Sequence, residues 1–381
     1  MSDLAVCIMA FNEAECLERC LQSVQGLGEL HVSIDRATTD NSAAVAAQYT
    51  EHLYSHVGLP LQAPAQDHPE AGKALNSYSR MRNEFLEQVA AQTRAGWFLW
   101  LDADEVLEAG GEILLTALPK MPEDTEAVAV RVNLYTAAGQ LESVMRNSKV
   151  VRRTVRFTRR RHEHIVFNGQ QALCDPCVLG HHPTQRPADR DAHDRRKLQE
   201  EAFLADWLEF QDGRSAFYMA DWWHIAGADE EALVWCERAL HLPLEKCPPY
   251  QRNHCAKYAG RLYLQSGRVP QARHCFADAH EQEWRDAESV YYLGHVAAAS
   301  GQFDEAEHHF NTCLLYPELP ESVMQQDIHA TRALPYYGLA CVARARGDRA
   351  EAYRLIDQAE RAAQGVQYPQ FAELREKLDR G

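Results

Sequence analysis

The chain lacks any long hydrophobic run, and its N-terminus lacks the features of an export signal. None of its 381 residues belongs to an uninterrupted apolar stretch of the about 18 residues that a membrane-spanning helix needs. The opening segment, Met1-Ser2-Asp3-Leu4, has neither a basic region nor an apolar core. We therefore expect no membrane span, no signal peptide and a cytoplasmic location.

The sequence also lacks a pattern of paired cysteines and an excess of positive charge. Its eleven cysteines are scattered and odd in number, which predicts reduced thiols rather than a disulfide framework. The formal net charge is −16, which disfavours non-specific binding to nucleic acid or anionic membranes. At about 150 residues per domain, the length predicts two or three domains of an ordinary globular protein.

The most informative stretch is Trp97–Glu105, with the sequence WFLWLDADE. Its five leading apolar residues predict a buried strand, which then ends in Asp102, Asp104 and Glu105. Two aspartates two positions apart on an extended chain point the same way. Their oxygens suit Mg²⁺ or Mn²⁺, ions that are commonly shared with substrate phosphates. The alternative is an acidic turn after a core strand.

Strands and helices are predicted to alternate before this stretch. Strands are expected at Leu4–Ala10 and Leu30–Ile34, and Asn12 has the features of a helix N-cap, with Glu15 as its capping-box partner. Further helices are expected at Ser42–Tyr49 and Asn76–Ala95, a loop at 55–72, and another strand at Val128–Tyr135. This order predicts a parallel sheet flanked by helices.

Three motifs, in this order, resemble those of family-2 glycosyltransferases. Phe11-Asn12-Glu13 is similar to the first nucleotide-contact segment of that family, and Ile34–Asn41, IDRATTDN, resembles its second-strand motif. Arg82-Asn83 followed by Trp97–Glu105 resembles the Arg-Asn segment and the metal-binding acidic motif. The resemblance implies a GT-A fold, Mn²⁺ or Mg²⁺, and transfer of a sugar from a nucleotide-diphosphate donor with inversion.

The resemblance also implies roles for individual residues. Asp35 would contact the nucleoside, Asp102 would lie near the ribose or phosphate, and Asp104 would hold the metal. A UDP-sugar is the expected donor, although Arg36-Ala37 replaces the usual Thr-Gly and implies a differently shaped nucleoside pocket. The other expected donor-binding residues are Phe11, Asn12, Glu13, Arg82 and Arg161.

A basic run follows between Arg146 and Arg161, where eight of sixteen residues are Lys or Arg. Guanidinium groups bind phosphate in a bidentate manner, so the run predicts contact with a diphosphate or an acidic acceptor. The alternative is an exposed strand pair with its Arg head groups in water. A nucleic-acid acceptor would fit this patch alone.

The next polar residues provide the expected base and a further metal ligand. In the family branch with a C-terminal helical region, a basic stretch leads into a His-Glu pair, which here is His162-Glu163. Glu163 is therefore the expected catalytic base, with Asp102 and Glu105 as rivals; alternatively, it pairs with a neighbouring arginine. His181-His182-Pro183 resembles the position of a further metal ligand, either His181 or His182, and surface histidines are the alternative.

Cys174-Asp-Pro-Cys177, close to His181, is a weak signal for a zinc site or a thioredoxin-type redox motif. No second cysteine pair lies near it. The redox motif should also open a helix early in its fold, which this position does not.

The composition becomes continuously helical from about residue 198. Gly227, Gly267, Gly301 and Gly347 are each followed five residues later by alanine and preceded seven residues earlier by alanine or glycine. Their spacings of 40, 34 and 46 residues compare with the ~34 of tetratricopeptide repeats. Four helix pairs are therefore expected to stack into a short solenoid.

The sequence thus predicts an α/β domain of the GT-A type at residues 1–197 and a tetratricopeptide-like domain at residues 198–381. The repeats are expected to form a homodimer, to support the first domain, or to capture a peptide or protein acceptor. A glycan acceptor fits the wider family. The competing function is a non-enzymatic scaffold with a degenerate transferase domain.

Overall fold

The computed structural model describes residues 3–56, 78–160, 164–183, 192–319 and 325–380. The chain divides into two compact units, Met1–Gly139 with Arg146–Asp206, and Gln140–Met145 with Trp207–Gly381. The point of division after Asp206 lies inside a helix, Ala192–Phe210. The sequence-based boundary at residues 197/198 lies in the same helix.

The first unit is built around a mixed β-sheet. The strands in chain order are β1 (Leu4–Ala10), β2 (Glu29–Asp35), β3 (Leu53–His56), β4 (Trp97–Asp102), β5 (Glu105–Ala109), β6 (Thr125–Tyr135), β7 (Leu141–Arg152), β8 (Arg156–Thr158), β9 (His164–Val166) and β10 (Gln170–His181). The helices are α1 (Ala14–Ser23), α2 (Ser42–Ala46), α3 (Tyr78–Gln92), α4 (Gly111–Ala117) and α5 (Ala192–Phe210).

The sheet has the order β3-β2-β1-β4-β7-β6-β10-β5. Strand β1 lies between β2 and β4 and is parallel to both. The chain therefore leaves β1 toward one side and returns with β4 on the other side. Ligands of open α/β sheets bind beyond the carboxyl ends of strands at such a switch point.

The remaining strand pairs correct the prediction of a parallel sheet. Strand β7 is antiparallel to β4, and β5 is antiparallel to β10, while β6 and β10 are parallel. A parallel connection needs a crossover of about a dozen residues, and the segment between β6 and β7, residues 136–140, is too short for one. The sheet is therefore mixed: it is parallel from β3 to β4 and again between β6 and β10, and it contains antiparallel pairs elsewhere.

The strands form where the sequence has uninterrupted apolar runs. Leu4, Val6 and Ile8 of β1 are fully buried, as are Trp97 and Leu99 of β4, which is typical of strands covered on both faces. The predicted strand Leu4–Ala10 is confirmed, and β2 and β4 each extend further than predicted. The predicted loop at 55–72 overlaps the end of β3 and otherwise lies outside the described residues.

The second unit consists of helix pairs. Its elements are α6 (Gly213–Ile225), α7 (Asp229–Leu240), α8 (Pro249–Gln265), α9 (Val269–Gln282), α10 (Ala287–Ala299), α11 (Phe303–Cys313), β11 (Gln325–Asp327), α12 (Leu334–Ala345), α13 (Arg349–Ala362) and α14 (Pro369–Asp379). The four predicted pairs are confirmed as α6/α7, α8/α9, α10/α11 and α12/α13. Strand β11 pairs with Ser143–Met145 of β7, residues that belong to this unit.

The glycine pattern explains how the helices of a pair approach each other. Each of the four spaced glycines joins the two helices of a pair with a positive φ, between 73° and 85°, a conformation that glycine adopts without strain. A Cβ at Gly294 or Gly338 would lie 2.6 Å or 2.5 Å from the ring of Phe310. Small residues therefore make room for the buried ring, as the repeat pattern predicts. In the part of the chain that the structure describes, no helix has the length and apolar character needed to cross a membrane.

Candidate active site

The segment after β1 is bound to the loop after β2. Asn12 has a φ of +52°, and its side-chain oxygen accepts a hydrogen bond from the backbone N–H of Thr39 at 2.7 Å. The N-cap prediction for Asn12 is therefore wrong, because α1 begins at Ala14 and the side chain serves the neighbouring loop instead. The backbone N–H of Phe11 donates to the Glu13 carboxylate at 3.1 Å.

Asp40, rather than Asn12, accepts a hydrogen bond from the first residue of α1. Its carboxylate accepts hydrogen bonds from the backbone N–H of Ala14 (3.0 Å) and of Ser42 (2.9 Å). Partial burial raises the pKa of Asp40, but the bonds from Ser42 and Ala14 outweigh it, and the net pKa is lowered. Asp35, predicted to contact the nucleoside, is buried, and its carboxylate accepts from the N–H of Ala37 at 2.8 Å. The two loops thus form one hydrogen-bonded rim.

Arg82 lies beneath Asp102 rather than in solvent. Its Nη2 donates to Asp102 Oδ1 at 3.1 Å, and its side chain is 6% exposed against 49% for Asp102. The guanidinium stacks on Trp100, with Cζ 4.3 Å from the ring centroid. Arg82 was predicted to bind the donor, and here it orients the carboxylate that faces solvent.

A second buried ion pair lies next to the first. Lys149 Nζ is 2.6 Å from both carboxylate oxygens of Glu105, and both side chains are at most 5% exposed. Glu105 also accepts from the backbone N–H of Asp102 at 3.0 Å, while Lys149 lies 3.7 Å from the centroid of the Trp100 ring. Both oxygens of the Glu105 carboxylate are thus bonded to groups inside the protein, so Glu105 is a poor candidate for the catalytic base.

At both carboxylates burial raises the pKa and the neighbouring cations lower it, but the net result differs. Burial raises the pKa of Asp102, but the charges of Arg82 and Lys149 outweigh it and leave the pKa lowered. Burial dominates at Glu105 and raises its pKa, helped by the neighbouring Asp102 and opposed by Lys149. Asp102 is therefore the carboxylate that is held ionised toward solvent.

Asp104 and His181, the predicted metal ligands, are brought together. Asp104 Oδ2 lies 3.4 Å from His181 Nε2, and the backbone N–H of His182 donates to the Asp104 carbonyl at 3.0 Å. The carboxylate raises the pKa of His181. His182 instead lies near Glu108, at 3.6 Å, so His181 is the imidazole that faces Asp104.

Among the described residues, no group of three or more His, Cys, Asp or Glu side chains is arranged to hold a metal ion. Mg²⁺ is commonly bound by one or two protein ligands and completed by water and substrate phosphates. Asp104 offers a carboxylate of that kind, and the imidazole of His181 lies beside it. The metal role of both residues stays a prediction.

The Cys174–Cys177 segment is neither of its predicted sites. It lies within β10, where a shift of register between Cys174 and Val178 leaves a bulge instead of a helix start. Burial raises the pKa of Cys177 to about 12, so its thiol stays protonated and unreactive. Asp175, within the bulge, binds Arg146 through two hydrogen bonds of 2.9 Å and 2.8 Å.

The basic run is not a free patch either. Arg153 donates to the carbonyls of Ala90 and Thr93 at the end of α3, and Arg160 pairs with Asp206 at 2.8 Å. With Arg146 and Lys149 also paired, the described cations mainly satisfy groups of their own unit. The expectation of head groups in water is wrong for Arg146 and Lys149, which are buried, while the phosphate-binding role of the run stays a prediction. The predicted base Glu163, together with Arg161 and His162, lies outside the described residues.

Several known structures are similar to part of the chain at low sequence identity. A tetratricopeptide repeat protein from Parabacteroides merdae is 18% identical, with 49% of this chain and 65% of that chain covered and a TM-score of 0.38. The crystal structure of MamA gives 13% identity, 51% and 100% coverage and a TM-score of 0.34. A chain of the APC/C hetero-tetramer Cut9–Hcn1 gives 17% identity and a TM-score of 0.36, and the match covers 44% of this chain and 30% of that chain.

No protein-family model matches the chain, and no curated protein matches it. With TM-scores of 0.34 to 0.38, these similarities establish neither the fold nor the function of the chain. The repeat character of the second unit rests on its own helix pairs and glycine geometry.

Proposed function

We propose that the protein is an inverting, metal-dependent glycosyltransferase of the GT-A type that uses a nucleotide-diphosphate sugar, with a UDP-sugar as the first candidate. The observation that supports this most is the Asp104–His181 pair, 3.4 Å apart. Asp104 follows the carboxyl end of β4, and His181 is the last residue of β10. Strand β4 borders β1, where the switch point lies. The carboxylate suits a divalent cation shared with a diphosphate, and the imidazole stands where the family resemblance implies a further metal ligand.

Each neighbouring residue has a definite part in the proposed site. The hydrogen-bonded rim of Phe11–Glu13 with the loop after Asp35 would receive the nucleoside. Asp102, held ionised by Arg82, would accept hydrogen bonds from the ribose or approach the phosphate side. Bound Mn²⁺ or Mg²⁺ would supply Lewis-acid stabilisation of charge on the departing diphosphate.

Transfer also needs a base, and Glu163 is the proposed one. As the acceptor oxygen bonds to the anomeric carbon and the nucleotide diphosphate leaves, the acceptor's proton passes to the carboxylate of Glu163. General bases of this kind contribute about 10²–10⁴ in rate. Asp102 is the remaining rival, because its carboxylate is exposed and ionised.

The acceptor is proposed to be chosen by the helical unit. A peptide or protein would suit stacked helix pairs, which commonly present extended binding surfaces; a glycan acceptor and a homodimer through these helices are the alternatives. A nucleic-acid acceptor is disfavoured, because the described cations of the basic run are bound to groups of their own unit.

A panel of nucleotide sugars tests this function. Melting is measured with UDP-, GDP- and dTDP-sugars, with and without Mn²⁺, and sugar release to water is measured in parallel. A donor at about 100 times its dissociation constant should stabilise the folded protein by about 2.7 kcal/mol. Asp104→Asn should lose the Mn²⁺-dependent shift, while the exposed Glu112→Gln serves as a matched control. A protein that is stabilised by none of the donors and releases no sugar would support the scaffold instead.

A further inference from the structure

A cluster of two aromatic and two polar side chains, near the proposed metal site in the sheet, has no part in the proposed sugar transfer. It is formed by Tyr135 at the end of β6, His182 after β10, and Glu108 of β5 together with Asn133 of β6. The rings of Tyr135 and His182 are stacked nearly parallel, with centroids 4.4 Å apart and planes 5° apart. All four residues are at least partly exposed to solvent.

The cluster is tightly organised by its own contacts. Asn133 Nδ2 donates to Glu108 Oε2 at 2.8 Å, and the other carboxylate oxygen lies 3.6 Å from His182 Nε2. A Cβ at Gly180 would collide with Glu108 and would lie 2.8 Å from His182 Nε2. Glycine at this position is therefore needed for the carboxylate and the imidazole to converge.

The cluster lies at the same end of β10 as His181 of the proposed metal site. His182 follows His181 directly, and its backbone N–H is bonded to the carbonyl of Asp104 at 3.0 Å. Successive residues of a strand point to opposite faces, and a Cβ at Gly180 would meet His182 and Glu108. The side chain of His182 therefore lies on the face of β10 opposite to that of His181.

The chemistry of the cluster matches a pyranose ring. Aromatic rings offer an apolar face with specific geometry, against which the C–H face of a sugar can pack. A carboxylate and an amide beside that face can pair with hydroxyl groups, and such a few placed polar groups fix orientation in ligand sites. We infer that Tyr135, His182, Glu108 and Asn133 form a subsite for a pyranose ring. Assigning that ring to the donor or to a glycan acceptor rests on the proposed function.

The test uses the full chain and separates the two sources of the ring. Calorimetric titrations with Mn²⁺ compare UDP with UDP-glucose, UDP-galactose and UDP-N-acetylglucosamine. Saturation-transfer NMR then measures the methyl glycosides of the same sugars in the presence of UDP and Mn²⁺. The variants are Tyr135→Ala, His182→Ala, and Tyr135→Phe, which keeps the ring; melting curves confirm that each is folded.

For a donor ring, Tyr135→Ala should weaken the nucleotide sugar about three- to tenfold and leave UDP affinity unchanged, and Tyr135→Phe should retain most of the affinity. For an acceptor ring, the glycoside signals should disappear in Tyr135→Ala while nucleotide-sugar affinity stays the same. Unchanged sugar binding in both alanine variants would overturn the subsite, as would a wild type that binds UDP but no sugar.

Failure of the proposed function gives a different result. If the wild type binds no nucleotide but binds glycosides through Tyr135, the sugar subsite stands and the transferase assignment falls. If neither nucleotide nor glycoside binds, both are overturned.

Discussion

Removing Lys149 should destabilise the first unit strongly, because it leaves a buried carboxylate unpaired. Lys149 and Glu105 are 2% and 5% exposed and lie 2.6 Å apart, so water cannot replace the lost partner. Breaking a buried ion pair from one side typically costs about 3–5 kcal/mol. We therefore expect Lys149→Met to lower the opening free energy of β4 by about that amount. Replacing both partners, in Lys149→Met with Glu105→Gln, should recover most of the loss, because no unpaired charge remains.

Hydrogen exchange of the β4 amides, detected by mass spectrometry on the full chain, measures this opening free energy for the first unit alone. A single unfolding midpoint would not, because a chain of two units need not unfold in one step. Lys120→Met, on an exposed lysine, is the matched control and should stay within about 0.5 kcal/mol of wild type. A loss below about 1 kcal/mol in Lys149→Met would refute the buried pair, as would a double variant no better than the single one.

Three further predictions concern the helical unit and the base. Gly338→Ala should lower the opening free energy of α12, measured by hydrogen exchange, by about 1–3 kcal/mol through collision with the Phe310 ring, although alanine favours helices; a more stable α12 would contradict that packing. Burial lowers the pKa of His295 to about 4, so the unfolded chain takes up a proton at a higher pH than the folded chain. Stability should therefore fall between about pH 6.5 and 4, by at most about 1.4 kcal/mol per pH unit. His295→Phe should flatten this fall, and an unchanged pH profile would count against the prediction. Glu163→Gln should keep donor affinity and lose about 10²–10⁴ in sugar release; a rate within a few-fold of wild type would place the base elsewhere.

The features that could be predicted from the sequence depend on local patterns. The strand Leu4–Ala10 follows from one apolar run, and the helix pairs follow from glycine and alanine at fixed spacings. The apolar run reports burial of the strand whatever its partners are, and the glycine pattern reports contact between helices that are adjacent in the chain. The segments that lengthen the repeat spacing, residues 241–248 and 314–333, lie between pairs and leave the pattern within each pair intact.

Features that depend on pairing between distant segments could not be predicted. Arg82 meets Asp102 because α3 packs against β4, and Lys149 meets Glu105 because β7 lies beside β4, which ends shortly before Glu105. The charge pattern of the basic run was visible, but its partners were not: Arg153, for example, bonds to carbonyls at the end of α3 that the helix itself leaves unpaired. Asn12 is a residue type that favours the N-cap position, but its side-chain oxygen accepts a hydrogen bond from the N–H of Thr39 instead of capping α1.

The site was predicted in part by the same logic. The acidic motif placed Asp102 and Asp104 correctly at a strand end, and the structure adds that His181 rather than His182 faces Asp104. The cluster of Tyr135, His182, Glu108 and Asn133 had no signal of its own, because its members come from β5, β6 and the end of β10. Only the sheet order brings them together.

Calorimetric titration of UDP in the presence of Mn²⁺ tests the central claim most directly, with wild-type protein compared to Asp104→Asn and to the control Glu112→Gln. The account predicts Mn²⁺-dependent binding to the wild type and the control, and its loss in a folded Asp104→Asn variant. Equal UDP affinity in all three proteins, or affinity that does not depend on Mn²⁺, would contradict the assignment of Asp104 to a metal-dependent nucleotide site.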